Sequence, residues 1–217
     1  MKKLMTIIAS LVCITTIAAP VRSLVSARTS ICTSNPGVTP YDCEIEYLES
    51  DGKQIIYTDI VPLLTNTFRY KIRLPMTGSW QTTYTCYTSA DEPSCLLVTW
   101  GSDIYNIGLS HFQRTSQGYA IFKSVKEDRI VEAVLSRDVG TINGVTKSLV
   151  SQSQIAAPLQ LFGHSGRGGR IYYFKIDNQI DLMPVRVGDV GYLYDKISGK
   201  MFGNQGTGEF VLGPDKQ

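Results

Sequence analysis

Between Phe68 and Leu74 the chain alternates strictly, with Phe68, Tyr70, Ile72 and Leu74 set against Arg69, Lys71 and Arg73. A period of two sends successive side chains to opposite faces of an extended backbone, so this segment predicts a β-strand with one buried and one solvated face. Shorter runs of the same character lie at Glu44–Leu48, Gln54–Ile60, Leu96–Trp100, Tyr105–Leu109, Tyr119–Lys123, Leu159–Phe162, Ile171–Ile176, Gly191–Tyr194 and Glu209–Leu212. Ile130–Leu135 is ambiguous, because its apolar residues fall at i, i+1, i+4 and i+5 as on a helix. Its place just before Asn143-Gly144, a strong two-residue hairpin signal, makes strand the reading. Further turn signals stand at Asp51-Gly52, Ser198-Gly199 and Asn204-Gln205-Gly206. No long period recurs, which excludes a solenoid or propeller. Many short strands without a long amphipathic helix predict an all-β fold, an antiparallel two-sheet sandwich.

The first residues break this pattern. Lys2 and Lys3 precede an apolar run from Leu4 to Ala19, the charged and greasy halves of a secretory signal. At about 16 residues the run is short of the ~20 a membrane span needs, and Pro20, Val21, Arg22 and Ser23 follow it. Val25-Ser26-Ala27 predicts cleavage after Ala27, with Ser23 as the alternative. The expected organisation is therefore a signal peptide over 1–27, a disulfide-bearing segment over 28–43, and one domain over 44–217. An exported protein, periplasmic, on the cell surface or secreted, is implied, with no membrane attachment after cleavage.

Cysteine usage agrees with export. Cys13 leaves with the signal, and Cys32, Cys43, Cys86 and Cys95 remain, an even number that reads as two disulfides in an oxidising compartment. Three connectivities are possible. The turn formers Asn35-Pro36-Gly37 and Asp91-Glu92-Pro93 lie inside the two local loops and favour Cys32 with Cys43 and Cys86 with Cys95. A four-thiolate zinc site wants pairs two to four residues apart, which these spacings do not offer.

Charge narrows the partners. The 217-residue chain is 43% hydrophobic and 18% charged, too apolar for disorder and below the ~25% charge of ordinary domains. Its net charge of +2 drops to −1 without Lys2, Lys3 and Arg22, leaving 18 basic against 19 acidic residues. No electrostatic footprint for nucleic acid remains.

Candidate chemistry is sparse, and no metal or cofactor is expected. His111 and His164 lie far apart, outside any metal-type spacing. No nucleophile elbow occurs. Ser165-Gly166-Arg167-Gly168-Gly169-Arg170 is glycine-rich and basic, but it precedes a strand and lacks a P-loop ending, so it reads as an inter-strand loop. Asp177-Asn178 and Asp181 read as turn residues rather than calcium ligands. Trp100 ends an apolar run and reads as core, whereas Trp80, within Thr77-Gly78-Ser79-Trp80-Gln81-Thr82, has polar neighbours and is the candidate ligand-binding aromatic.

Longer motifs add a family resemblance. Glu46-Tyr47-Leu48-Glu49-Ser50-Asp51-Gly52-Lys53-Gln54 at one end, and Gly169–Ile176, Met183-Pro184-Val185-Arg186 and Gly191–Asn204 at the other, resemble exported bacterial and phage-associated proteins of the concanavalin A-like, laminin-G-like jelly-roll superfamily. Thr141–Val145 is similar to that family's strand-turn-strand. The resemblance spans about residues 44 to 213 and implies a jelly roll that binds carbohydrate or a surface component; Tyr84–Cys95 has no counterpart in it. It also draws attention to Glu44-Ile45-Glu46-Tyr47-Leu48-Glu49, because retaining β-glucanases of the superfamily carry a Glu-x-Asp-x-x-Glu strand. Here Glu replaces the central Asp and the segment opens the domain, so these carboxylates read as the exposed face of an edge strand. Glu49 would need a bulge to join the face of Glu44. The expected function is a non-catalytic module binding a glycan or cell-surface component. A structural or adhesive subunit of a surface or phage-derived assembly is the alternative, and a glycoside hydrolase ranks third.

Overall fold

The predicted alternation is realised from Phe68 to Arg73: Phe68, Tyr70 and Ile72 are completely buried and Arg69, Lys71 and Arg73 are not, while Leu74 lies outside the described residues. The computed structural model describes residues 39–73, 81–87, 93–100, 106–113, 120–122, 130–149, 158–162 and 169–217, with only the backbone path for the strands between 81 and 122. The strands, in chain order, are β1 (Cys43–Glu44), β2 (Leu48–Ser50), β3 (Ile55–Tyr57), β4 (Phe68–Arg73), β5 (Gln81–Tyr87), β6 (Pro93–Trp100), β7 (Asn106–Gln113), β8 (Ala120–Phe122), β9 (Ile130–Leu135), β10 (Val139–Ile142), β11 (Val145–Ser148), β12 (Leu159–Phe162), β13 (Gly169–Ile176), β14 (Ile180–Val187), β15 (Val190–Asp195), β16 (Met201–Phe202) and β17 (Val211–Leu212). No helix occurs among the described residues. The fold is all-β, with every strand pairing antiparallel.

Two sheets form. The larger runs β11-β10-β9-β4-β13-β14-β15-β16, with β1, β2 and β17 attached beside it, and the smaller runs β3-β12-β5-β6-β7-β8. One buried cluster draws on both, with Tyr70, Ile72, Ile171 and Phe174 from the larger sheet and Ile56, Leu159 and Leu161 from the smaller. Each sheet thus hides one face in a shared core, the two-layer arrangement expected of amphipathic strands. At its centre Tyr70 stacks on Phe174 with ring centroids 5.7 Å apart, and Phe68 meets Phe174 edge-on at 6.4 Å.

The two ends of the described chain meet in a fork. β13 and β14 pair only near their turn, from Ile176 opposite Ile180 to Phe174 opposite Leu182, and then part. Into the gap runs the segment from Cys43 to Ser50, with Cys43 and Glu44 on Arg186 and Val185 and with Leu48 to Ser50 on Ile171 to Gly169. The C-terminal tail pairs with the same segment, Leu212 opposite Leu48, and Lys216 N donates to the Glu44 carbonyl at 2.9 Å. Gly191 permits this closeness, since a Cβ there would run into the Cδ2 atoms of Leu48 and Leu212. Pro184 lies at the fork's mouth, where its carbonyl accepts from Ile45 N at 3.1 Å and no N–H is owed in return. This proline hides β14 from periodicity, and the threonine-rich β5 escapes for want of apolar alternation. The expectation of a single edge strand over Glu44–Leu48 is corrected: two short strands form, and the segment is flanked on both sides.

Turn chemistry works as read. Ile142 faces Val145 across Asn143 and Gly144, whose φ angles are 48° and 83°, the left-handed pair of a two-residue hairpin. The Asn143 side chain ties the turn to β9, accepting from Glu132 N at 2.8 Å and donating to the Ile130 carbonyl at 3.2 Å. After β15, the Asp195 carboxylate accepts from the backbone N–H groups of Asp181, Ile197 and Ser198 at 2.8, 3.1 and 3.0 Å. Burial works against its charge, yet these donors and the Ser198 hydroxyl, which also donates to it, outweigh burial and hold the carboxyl below its usual range. Cys43 is buried and disulfide-bonded. Backbone register sets Cys86 opposite Ser94 and Cys95 opposite Thr85 on β5 and β6. Residues 1–27, Cys32, Trp80 and His164 lie outside the described residues.

Candidate functional site

The outer face of the large sheet carries an unusual concentration of tyrosine and charge. Its basis is an irregularity in β13. The pairing of β13 with β4 shifts between Ile171 and Tyr173, and the burial phase slips with it: Ile171 and Phe174 are buried while Tyr172 and Tyr173 between them are both half-exposed. A bulge of this kind adds one residue to a strand and re-aims the side chains beside it. Here it brings two consecutive tyrosines to the surface where strict alternation would have buried one.

A second slip lies across the fork. Cys43, Ile45, Leu48 and Ser50 are buried, so Glu46 and Tyr47 interrupt the alternation together and the phase resumes one residue late. Tyr47 thereby reaches Tyr172, their rings 5.6 Å apart and nearly edge-to-face. The Arg170 guanidinium lies over the Tyr47 ring at 4.2 Å from its centroid, and its Nε donates to Glu49 Oε2 at 2.9 Å. From β4, Lys71 Nζ stands 5.4 Å over the Tyr172 ring. Tyr173 points the other way along the face and donates its hydroxyl to Glu132 Oε1 on β9 at 3.0 Å.

Electrostatics hold this cluster in place. Partial burial disfavours the Arg170 charge, but the hydrogen bond and charge of Glu49 more than offset it and raise the guanidinium above its ordinary value. Burial, then the hydrogen bond to Glu132 and its charge, push the Tyr173 phenol up to about 12, so it remains a donor well beyond neutral pH. Around the cluster, Arg69 pairs with Asp177 at 3.3 Å, and Asp181 with Lys175 at 3.5 Å and Lys196 at 3.4 Å. These rim pairs are exposed enough to orient side chains rather than add much stability.

The carboxylates singled out in the sequence belong to this neighbourhood, each beside a cation. The slip does bring Glu44 and Glu49 to the same side, yet Glu49 is held by Arg170, and Glu44 lies 3.9 Å from Lys216. Among the described residues no group of three or more His, Cys, Asp or Glu is placed to hold a metal ion. Asp177 and Asn178 form the β13–β14 turn, with Asn178 at φ 63°. The glycine-rich stretch read as a loop is corrected at its end: Gly169 and Arg170 already belong to β13. Arg170, Tyr47, Tyr172 and Tyr173 were missed as site residues because only the two slips place them together; the consecutive tyrosines within a period-two strand were the available signal. Rings with polar and charged flanks suit non-covalent recognition, their faces and edges meeting apolar ligand surface while guanidinium, ammonium and carboxylate groups meet hydroxyls.

Comparison of the chain with protein-family models, with curated proteins and with solved structures returned no match.

Proposed function

We propose that this chain is an exported, non-catalytic module, a jelly-roll sandwich of the concanavalin A-like kind, that binds a glycan or another cell-surface component on the outer face of its large sheet. The observation that carries the reading is the β13 bulge, which exposes Tyr172 beside Tyr173 and lets Tyr47 and Arg170 assemble around them. Saccharides offer apolar ring faces edged by hydroxyls, and half-exposed aromatic rings flanked by fixed charges complement both. Engagement of Glu44 and Glu49 with cations speaks against glycoside hydrolysis by that pair. The resemblance of both ends of the domain to laminin-G-like proteins supports the jelly roll, because those motifs build the fork and its neighbouring turns.

The test is a glycan array probed with the exported protein and with Tyr172→Ala. Binding of a defined saccharide class by the wild type, weakened by about tenfold or more in the variant, is expected. An array with no bound glycan would overturn the glycan reading, and a folded Tyr172→Ala that binds as the wild type does would remove this face as the site.

A further inference from the structure

The charges on the outer face are not evenly satisfied. Strict alternation places Arg69, Lys71 and Arg73 in a row along β4, and Arg170 and Lys175 stand beside them on β13. Arg69, Arg170 and Lys175 each have a carboxylate, from Asp177, Glu49 and Asp181. Lys71 differs. It makes no ion pair among the described residues; Glu132 lies directly across from it on β9 and accepts the Tyr173 hydroxyl. Its half-buried stem instead carries the ammonium over the Tyr172 ring. An ammonium held beside an aromatic plane and in no ion pair among the described residues is a ready partner for an anion attached to a ring-shaped ligand.

We propose that the ligand is an anionic saccharide, with its ring against Tyr172 and its carboxylate or sulfate on Lys71. This rests on the glycan-binding reading above and names the class of saccharide. A neutral sugar would use the tyrosines alone and leave the Lys71 ammonium unmatched, whereas an anionic saccharide brings a charge to it.

The experiment compares oligogalacturonate with its fully methyl-esterified form, which keeps the backbone and removes the charge, and a sulfated galactan oligosaccharide with its desulfated form. Affinities of wild type, Lys71→Gln and Lys71→Arg are measured by calorimetry at low and high salt, with a thermal melt of each variant to establish that it is folded. Preference for the charged member of either pair, an approximately tenfold loss of it in Lys71→Gln, recovery in Lys71→Arg and weakening by salt are expected. The pair that shows the preference identifies carboxylate or sulfate as the anion. Equal affinity for charged and uncharged members, or a Lys71→Arg protein as weak as Lys71→Gln, overturns the inference while leaving glycan binding intact. Absence of binding to any of the four, together with an empty glycan array, removes the parent reading and this inference with it.

Discussion

The two faces of the large sheet are built from the same strands and differ in nearly every property. On the inner face Phe68, Tyr70, Ile72, Ile171, Phe174 and Ile176 are completely buried; on the outer, Arg69, Lys71, Arg73, Arg170 and Lys175 reach solvent. Each face also contains a departure from this rule. Asp195 is a charged residue on the inner side, tolerated because backbone donors surround its carboxylate. Tyr172 and Tyr173 are large aromatics on the outer side, placed there by a bulge. The departure on the inner face is fully satisfied from within and serves the fold, whereas the one on the outer face sets half-exposed rings beside charged side chains.

Breaking the inner face should cost most. Phe174→Ala removes the ring on which both Tyr70 and Phe68 pack, and denaturant unfolding should show a loss of about 3–5 kcal/mol. A loss below about 1 kcal/mol would show that the described core is not the stabilising one.

Asp195→Asn comes next, with an expected loss of up to about 3 kcal/mol at neutral pH as the charge and one acceptor oxygen disappear. Because the native carboxyl sits below its ordinary range, its contribution is present above the unfolded-state value and fades as pH falls through the folded one. The stability gap between wild type and variant should therefore narrow on acidification from neutral pH to below about 4. A gap of constant size across that range would remove the proposed role of the carboxylate.

At the sheet's edge neither face is buried, and β11 is exposed throughout. A Cβ at Gly144 would meet nothing within 4 Å, so Gly144→Val strains only the backbone at its φ of 83°. Melting should drop by the equivalent of roughly 1–2 kcal/mol; a variant melting with the wild type would discard the hairpin geometry.

The smallest effect belongs to the outer face. Glu49→Gln leaves Arg170 over Tyr47 but removes the ion pair, and a change under about 1 kcal/mol is expected. A larger loss, seen in the same unfolding assay, would mean that the outer cluster supports the fold rather than standing ready for a ligand.

The sequence by itself determined many of the segments that are extended, though not β5 or β14, and in several cases which way they face. Phe68–Arg73 shows its two faces in its alternation, Leu159–Phe162 matches its strand, Ile130–Leu135 proves to be the strand chosen over a helical turn, and Asn143-Gly144 announces its own geometry. These are properties of a chain with its nearest neighbours, set by side-chain period and by which residues tolerate positive φ. Tertiary structure alone decided where the alternation slips, which strands fill the fork, and hence which tyrosines meet. Glu49 and Arg170 stand 121 positions apart and become a pair only when β2 lies against β13. A bulge exists only in relation to the strand it is paired with, so a site assembled by the β13 bulge and the slip at Glu46-Tyr47 is absent from any local reading of the chain.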